Sequence, residues 1–298
     1  MTFQKLAVIG CGLMGGSFAL GLKQAGLVKS IAGFSASEKT RQRAQQLQVI
    51  DMACDSVAQA VQGADLVLLA VPVSATRQSL EAIVPAMSTN TLLMDVGSTK
   101  CDVVAAARET LGERLSCFVP AHPIAGKEVA GIDHAEGDLY KNRRTILTPL
   151  PETGAAQMGQ AQAVWQALGS TVFTMTPESH DATFAAVSHL PHLLAFAAVN
   201  GLMAQTEGAD FLRMAGPGFR DFSRIAGSDP AVWRDILSAN QTEVLSQIKH
   251  FKKALAQLED ALKNQDTQAL QSLIAQASQV RSAWKLQATD ASNLASDA

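Results

Sequence analysis

Leu6-Ala7-Val8-Ile9-Gly10-Cys11-Gly12-Leu13-Met14-Gly15-Gly16-Ser17-Phe18 is the stretch on which the fold turns. Its four leading apolar residues read as a buried strand, and G-x-G-x-x-G then opens a helical pattern over 13–25, the context that gives the glycines meaning. Gly10 allows a tight turn, Gly12 lets backbone approach a pyrophosphate, and Gly15 lets helix pack closely on strand. The helix N-terminus adds free N–H groups and a positive dipole end, which suit phosphates. Leu13 and Met14 at the helix start, with Val71 and Pro72 at the end of a later strand, complete the expected cofactor contacts. Cys11 reads as a small filler of the turn.

Outward from this stretch the same alternation continues. Short apolar runs at 6–9, 30–34, 65–71, 91–96, 117–121, 145–148 and 171–174 alternate with helical patterns at 13–25, 38–47, 74–86, 101–111 and 155–168. That is the signature of an α/β domain with a parallel sheet. Pro72 and Pro123 are placed just after strands, where a missing N–H costs the ladder nothing. Beyond Pro177 the strand signal stops. Val244, Leu245, Ile248, Phe251, Leu255, Leu258 and Leu262 make one apolar stripe, and Leu270, Leu273, Ile274, Ala277, Val280 and Trp284 make another. We expect an N-terminal Rossmann-type dinucleotide-binding domain over 1–176, an all-helical substrate and dimerisation domain over 177–286, and a loose tail over 287–298. The stripes are too extensive for water, so the helical domain should build a homodimer.

An NAD-specific site carries an acid about 20 residues after the glycines, on the ribose 2′-hydroxyl. Here the second strand ends Gly33-Phe34-Ser35-Ala36-Ser37, without an acid. Ser35, Ser37 and Thr40, with Lys39 and Arg41 beside them, offer donors to a 2′-phosphate, which tilts the cofactor toward NADP over NAD. Ser37 serves equally well as the cap of the helix that follows.

Composition narrows the remaining classes. The chain has 298 residues, with 24 Lys plus Arg against 27 Asp plus Glu for a net charge of −3, and no basic block, which argues against nucleic-acid binding. The uncharged run 6–22 between Lys5 and Lys23 imitates a signal sequence, but Gly10, Gly12, Gly15, Gly16 and Gly21 would weaken such a helix. The next apolar run, 66–73, is far short of the ~20 residues a span needs. Cys11, Cys54, Cys101 and Cys117 lie apart, without ligand spacing, as reduced thiols do. A cytoplasmic enzyme with no membrane partner and no metal is expected.

Two loops at strand ends carry candidate chemistry: Asp95-Val96-Gly97-Ser98-Thr99-Lys100 and His122-Pro123-Ile124-Ala125-Gly126-Lys127-Glu128. His122 can accept a proton near the ~6.5 of free imidazole, and Ser98 can hold its ring. His189 and His192 are three apart and both can face a cleft, but no third ligand accompanies them as zinc requires. His134, His180 and His250 read as solvent-facing.

These segments, with Gly10 to Ser17, Ser188-His189-Leu190-Pro191-His192, Gly218-Phe219-Arg220-Asp221-Phe222, Arg224-Ile225-Ala226, Ser228-Asp229-Pro230 and Trp233, appear in order over about 5–285. Together they resemble the prephenate/arogenate dehydrogenase family of tyrosine biosynthesis. The resemblance implies oxidative decarboxylation of a cyclohexadienol with hydride transfer to NAD(P)⁺. It casts His122 as the acceptor of the 4-hydroxyl proton, Ser98 as its orienting partner, and Arg224 as the fork that grips a substrate carboxylate. His192, His189, Ser228 and Trp233 then line the substrate pocket. Lys127, where the family carries a small or hydroxyl residue, bears on the choice between prephenate and arogenate. Family dimers interlock so that each site borrows from its partner. With the chain used to about 285, no regulatory or mutase domain is expected. Two rivals are a β-hydroxyacid dehydrogenase or imine reductase, which lacks the His122 segment, and a non-catalytic nucleotide sensor, which would have lost His122, Ser98 or Arg224.

Overall fold

The computed structural model describes residues 2–126 and 129–284. Strand β1 (Phe3–Ile9) leads through the glycine turn into α1 (Leu13–Gln24), followed by β2 (Val28–Phe34), α2 (Glu38–Gln46), a two-residue β3 (Met52–Ala53) and a short α3 (Val57–Val61). Then come β4 (Leu66–Leu69), α4 (Thr76–Ile83), β5 (Leu92–Asp95), α5 (Cys101–Thr110) and β6 (Phe118–Val119). The six strands pair in parallel in the order β3-β2-β1-β4-β5-β6. Period-two geometry sends Leu6 and Val8 to one face, against Phe18, Leu22 and Trp165, and Ala7 and Ile9 to the other, against Val61 and Leu80. Burial on both faces explains why β1 and β4 are continuously apolar.

One expected strand divides. Pro120 has no N–H to continue the ladder, so the run over 117–121 leaves the large sheet after Val119. It resumes as β7 (Ala121–Pro123), antiparallel to β8 (Arg144–Leu147) in a separate sheet ordered β7-β8-β9. Here α6 (Ala155–Ala167) lies between β8 and β9 (Thr171–Thr174). Pro123 accordingly sits within β7, opposite Thr145, and not beyond a strand. The helix read over 74–86 keeps α-geometry only at Thr76–Ile83, with 3₁₀ turns on both sides and Pro85 in the second.

From Pro177 the described elements are helical: α7 (Pro177–Phe184), a π-helical turn Ala185–His189, α8 (Leu190–Met203), α9 (Gly208–Arg213), α10 (Pro217–Ser223), α11 (Pro230–Ala239), α12 (Gln241–Lys263) and α13 (Thr267–Ala283). The run Pro177–Met203 is long and apolar enough to cross a membrane by length and composition, a feature that a search for unbroken apolar stretches passes over. Only 22% of its most apolar window is buried within the chain. Leu255 is 50% exposed, Leu262 62% and Val280 67%, so both C-terminal stripes stand largely uncovered in the single chain. The tail proposed over 287–298 lies outside the described residues.

Candidate active site

The glycine turn is built as its spacing requires. Gly10 has φ +103°, and a Cβ there would lie 2.1 Å from the Ala70 carbonyl oxygen. One on Gly15 would lie 2.1 Å from the Gly10 carbonyl oxygen. At Gly12 a Cβ would meet nothing within 4 Å, because this residue faces an interdomain cavity of about 400 Å³. No side chain caps α1 and its first turn holds no acid, which leaves its amides for an anionic group. Buried Tyr140 donates to the Met14 carbonyl at 2.7 Å and steadies the turn from behind. Cys11 is buried, and burial pushes its thiol up to about 11, as a filler and not a nucleophile.

The cavity brings Gly12, Leu13, Met14, Val71, Pro72 and Ser98 of the sheet domain onto one space with Ser228 and Trp233 of the helical part. Ser35, Ser37 and Thr40 sit apart from it, at the tip of β2. The Ser35 hydroxyl accepts from the Cys11 amide at 2.7 Å, tying the two strand ends together. Ser37 caps α2 by accepting from the Thr40 amide at 3.2 Å. Arg41 lies across Phe34, donating to the Ser35 carbonyl at 2.7 Å and pairing with Asp55 at 3.3 Å.

His122 stands half-buried at the middle of β7. Its ring partner is His180, not Ser98: His122 Nδ1 lies 2.8 Å from His180 Nε2. The expectation that His180 faces solvent is overturned, since it is fully buried. His180 Nδ1 is 2.8 Å from Asp181 Oδ1, and the Asp181 carboxylate also accepts from the Lys100 and Cys101 amides at 2.8 and 2.9 Å. Burial, then the neighbouring His180, Lys100 and His189, push His122 well below the usual imidazole range. Its acid limb should therefore fall well under the 6.5 that free imidazole suggests. His134 and His250 are exposed.

The Asp95–Lys100 loop holds this strand from beneath. Lys100 and Asp95 form a buried ion pair. Lys100 Nζ also donates to the Ala121 carbonyl at 2.9 Å, and Asp95 accepts from the Ala121 amide at 2.9 Å. Both anchors are one residue from His122.

In the helical part, the π turn adds a residue to the helix and advances its phase. His189 therefore faces inward at 1% exposed while Val187 faces out at 67%. Its Nδ1 lies 3.1 Å from Asn240 Nδ2, which also donates to the Asp181 carbonyl at 2.8 Å. Burial pushes His189 down to about 4, so it is neutral at physiological pH. His192 stacks on Trp233 with centroids 3.6 Å apart, and its Nδ1 is 2.9 Å from the Ser188 carbonyl oxygen. Hence of the two histidines only His192 touches a ring that lines the cavity face to face, while His189 belongs to the packed interior. Burial, opposed in part by the Ser188 carbonyl, and then exposed Arg224 nearby disfavour protonated His192. The Ser228 hydroxyl donates to the Ile225 carbonyl at 2.8 Å. Lys127 lies outside the described residues. Among the described residues no three His, Cys, Asp or Glu side chains converge as a metal site.

His180, Asp181 and Asn240 escaped the sequence reading. One signal was available: His180 and Phe184 are one turn apart, and Phe184 marks the face that packs inward.

A parallel sheet with an open glycine turn, facing a helical wall across one cavity, defines a two-domain dinucleotide-dependent oxidoreductase. Residues 18–174 match the family model described as the nucleotide-binding domain of prephenate dehydrogenase, and 176–276 match that described as its dimerization domain. The chain is 34% identical to cyclohexadienyl dehydrogenase of Zymomonas mobilis over 89% of its own length and 90% of the relative's. It superposes on prephenate dehydrogenase of A. aeolicus in complex with hydroxyphenyl propionate and NAD⁺ with TM-score 0.89 and 34% identity, covering 95% and 98% of the two chains. Arogenate dehydrogenase of Synechocystis matches with TM-score 0.80 and 29% identity, over 94% and 99%. The chain belongs to the prephenate dehydrogenase family of aromatic amino acid biosynthesis.

Proposed function

We propose that the protein oxidatively decarboxylates prephenate, arogenate or both, to 4-hydroxyphenylpyruvate and tyrosine respectively, as a cytoplasmic homodimer. The observation that carries this reading is the shared cavity, where the Gly12 turn, Ser98, Ser228 and Trp233 meet on a space of about 400 Å³. The open face of Gly12 and the uncapped α1 fit a pyrophosphate. When bound, the nicotinamide cofactor supplies the hydride acceptor. His122 takes the 4-hydroxyl proton on Nε2, which has no hydrogen-bond partner among the described residues. Arg224 grips a substrate carboxylate with its planar fork, and His192 lies flat on Trp233, which lines the cavity. Loss of CO₂ then aromatises the ring and makes the reaction effectively irreversible. The test is a comparison of initial rates for prephenate and arogenate with NAD⁺ and NADP⁺, and absence of turnover in all four pairings would sink the reading.

NADP⁺ is expected to serve at least as well as NAD⁺, because the β2 tip carries Ser35 and a nearby Arg41 in place of an acid. Ser35→Asp keeps an acceptor for the Cys11 amide yet repels a 2′-phosphate. It should shift the kcat/KM ratio toward NAD⁺ by about tenfold. A wild type that strongly prefers NAD⁺ would refute this.

The uncovered stripes of α12 and α13 and the apolar run Pro177–Met203 supply the dimer interface. Leu255→Glu places a charge on that face, and in sedimentation velocity it should yield monomers with much reduced activity. A fully active monomeric variant would show that the interface lies elsewhere or that each site is complete in one chain.

A further inference from the structure

His180 sits between His122 and Asp181 with 2.8 Å on either side, and both rings pack on Phe184 with centroids 4.9 and 4.5 Å away. The direction of each hydrogen bond follows from the carboxylate. Although burial opposes it, His180 and the Cys101 and Lys100 amides hold Asp181 below the usual carboxylate range. An ionised carboxylate only accepts, so His180 must carry its proton on Nδ1. Burial lowers His180 as well, Asp181 offsetting this in part, so the resting ring is neutral and its Nε2 is a bare acceptor. His122 Nδ1, facing that acceptor, must then be the donor. The remaining lone pair of His122 is on Nε2, the nitrogen required of a base.

We propose that His180, anchored by Asp181, is a positioning residue that fixes His122 as its Nδ1–H tautomer and relays the proton released in the reaction. The proposal rests on the function proposed above. In the step, the substrate O–H bond breaks and an N–H bond forms at His122 Nε2. The Nδ1–H bond of His122 then breaks as its proton passes to His180 Nε2. Charge thereby moves from a ring with no carboxylate partner to one paired with Asp181. The other ionisable groups around these rings, Lys100, Asp95 and His189, are fixed by hydrogen bonds of their own and leave Asp181 as the anion in contact with His180.

The test uses the full-length protein, with ¹⁵N imidazole NMR and steady-state kinetics on wild type, His180→Gln and His180→Leu. Gln offers Oε1 near the position of the lost Nε2, whereas Leu offers no acceptor. Wild-type His122 should be the Nδ1–H tautomer, His180→Leu should lose about 10²-fold in kcat with KM little changed, and His180→Gln should recover at least tenfold of that. Wild-type His122 as the Nε2–H tautomer would overturn the proposal, as would near-normal kcat in His180→Leu or a Gln variant no better than Leu. If the wild type turns over neither substrate, the functional reading fails separately, and the tautomer alone then supports or overturns the arrangement.

Discussion

His122→Asn is expected to lower kcat by about 10² or more while leaving KM nearly unchanged. Asn places its amide where Nδ1 was, so the contact to His180 can persist, and only the nitrogen that meets the substrate is lost. An interaction that strengthens as the hydroxyl loses its proton contributes little to ground-state binding, which is why the effect falls on kcat. The pH profile adds a second reading. Burial and the neighbouring His180, Lys100 and His189 disfavour protonated His122, so its folded pKa is lowered and the neutral, active form persists well below pH 6.5. Wild-type kcat/KM should stay level through pH 6.5 and fall only at distinctly lower pH, and that limb should vanish in His122→Asn. Near-wild-type turnover in the variant, with its acid limb intact, would assign the base to another group.

Lys100→Met should destabilise the protein by about 3 to 5 kcal/mol. Lys100 is fully buried and Asp95 is 2% exposed, so removing the ammonium strands a carboxylate in the interior with only the Ala121 and Gly97 amides to hold it. A melting temperature lower by on the order of 10 °C at equal protein concentration is expected for a chain of this size. Asp95→Asn in the same background should restore much of the loss, because the stranded charge is then gone. Since the pair also grips Ala121, beside His122, the single variant should lose turnover along with stability. An unchanged melting curve would mean that the ion pair contributes nothing net.

The Gly10–Gly15 spacing, the continuous apolar strands and the switch from strand to helix beyond Pro177 determined the two-part architecture from sequence. Each depends on neighbours within a turn or a strand, where steric rules and hydrophobic period act locally. The ordered segments around Ser98, His122, His189 and Arg224 identified the family for the same reason: they are contiguous in the chain. Splitting of the run at Pro120 was legible in principle, because proline's missing N–H is a local property, but the second sheet it creates depends on β8, more than twenty residues on.

Tertiary structure alone decided which side chains meet. His122 and His180 are 58 residues apart, and the one local cue, buried Phe184 a turn beyond His180, says which face packs inward but not that the two rings meet. The π turn that swings His189 inward and leaves Val187 outside is set by packing, since simple helical phase favours neither. Lys100 follows the same logic. In a bare sequence a lysine or histidine is read as solvated, because burying it costs several kcal/mol unless partners compensate. Asp95, Ala121 and Asp181 are those partners: Asp181 follows His180 directly, whereas only the folded chain brings Ala121, from a separate strand, within reach of Lys100 and Asp95.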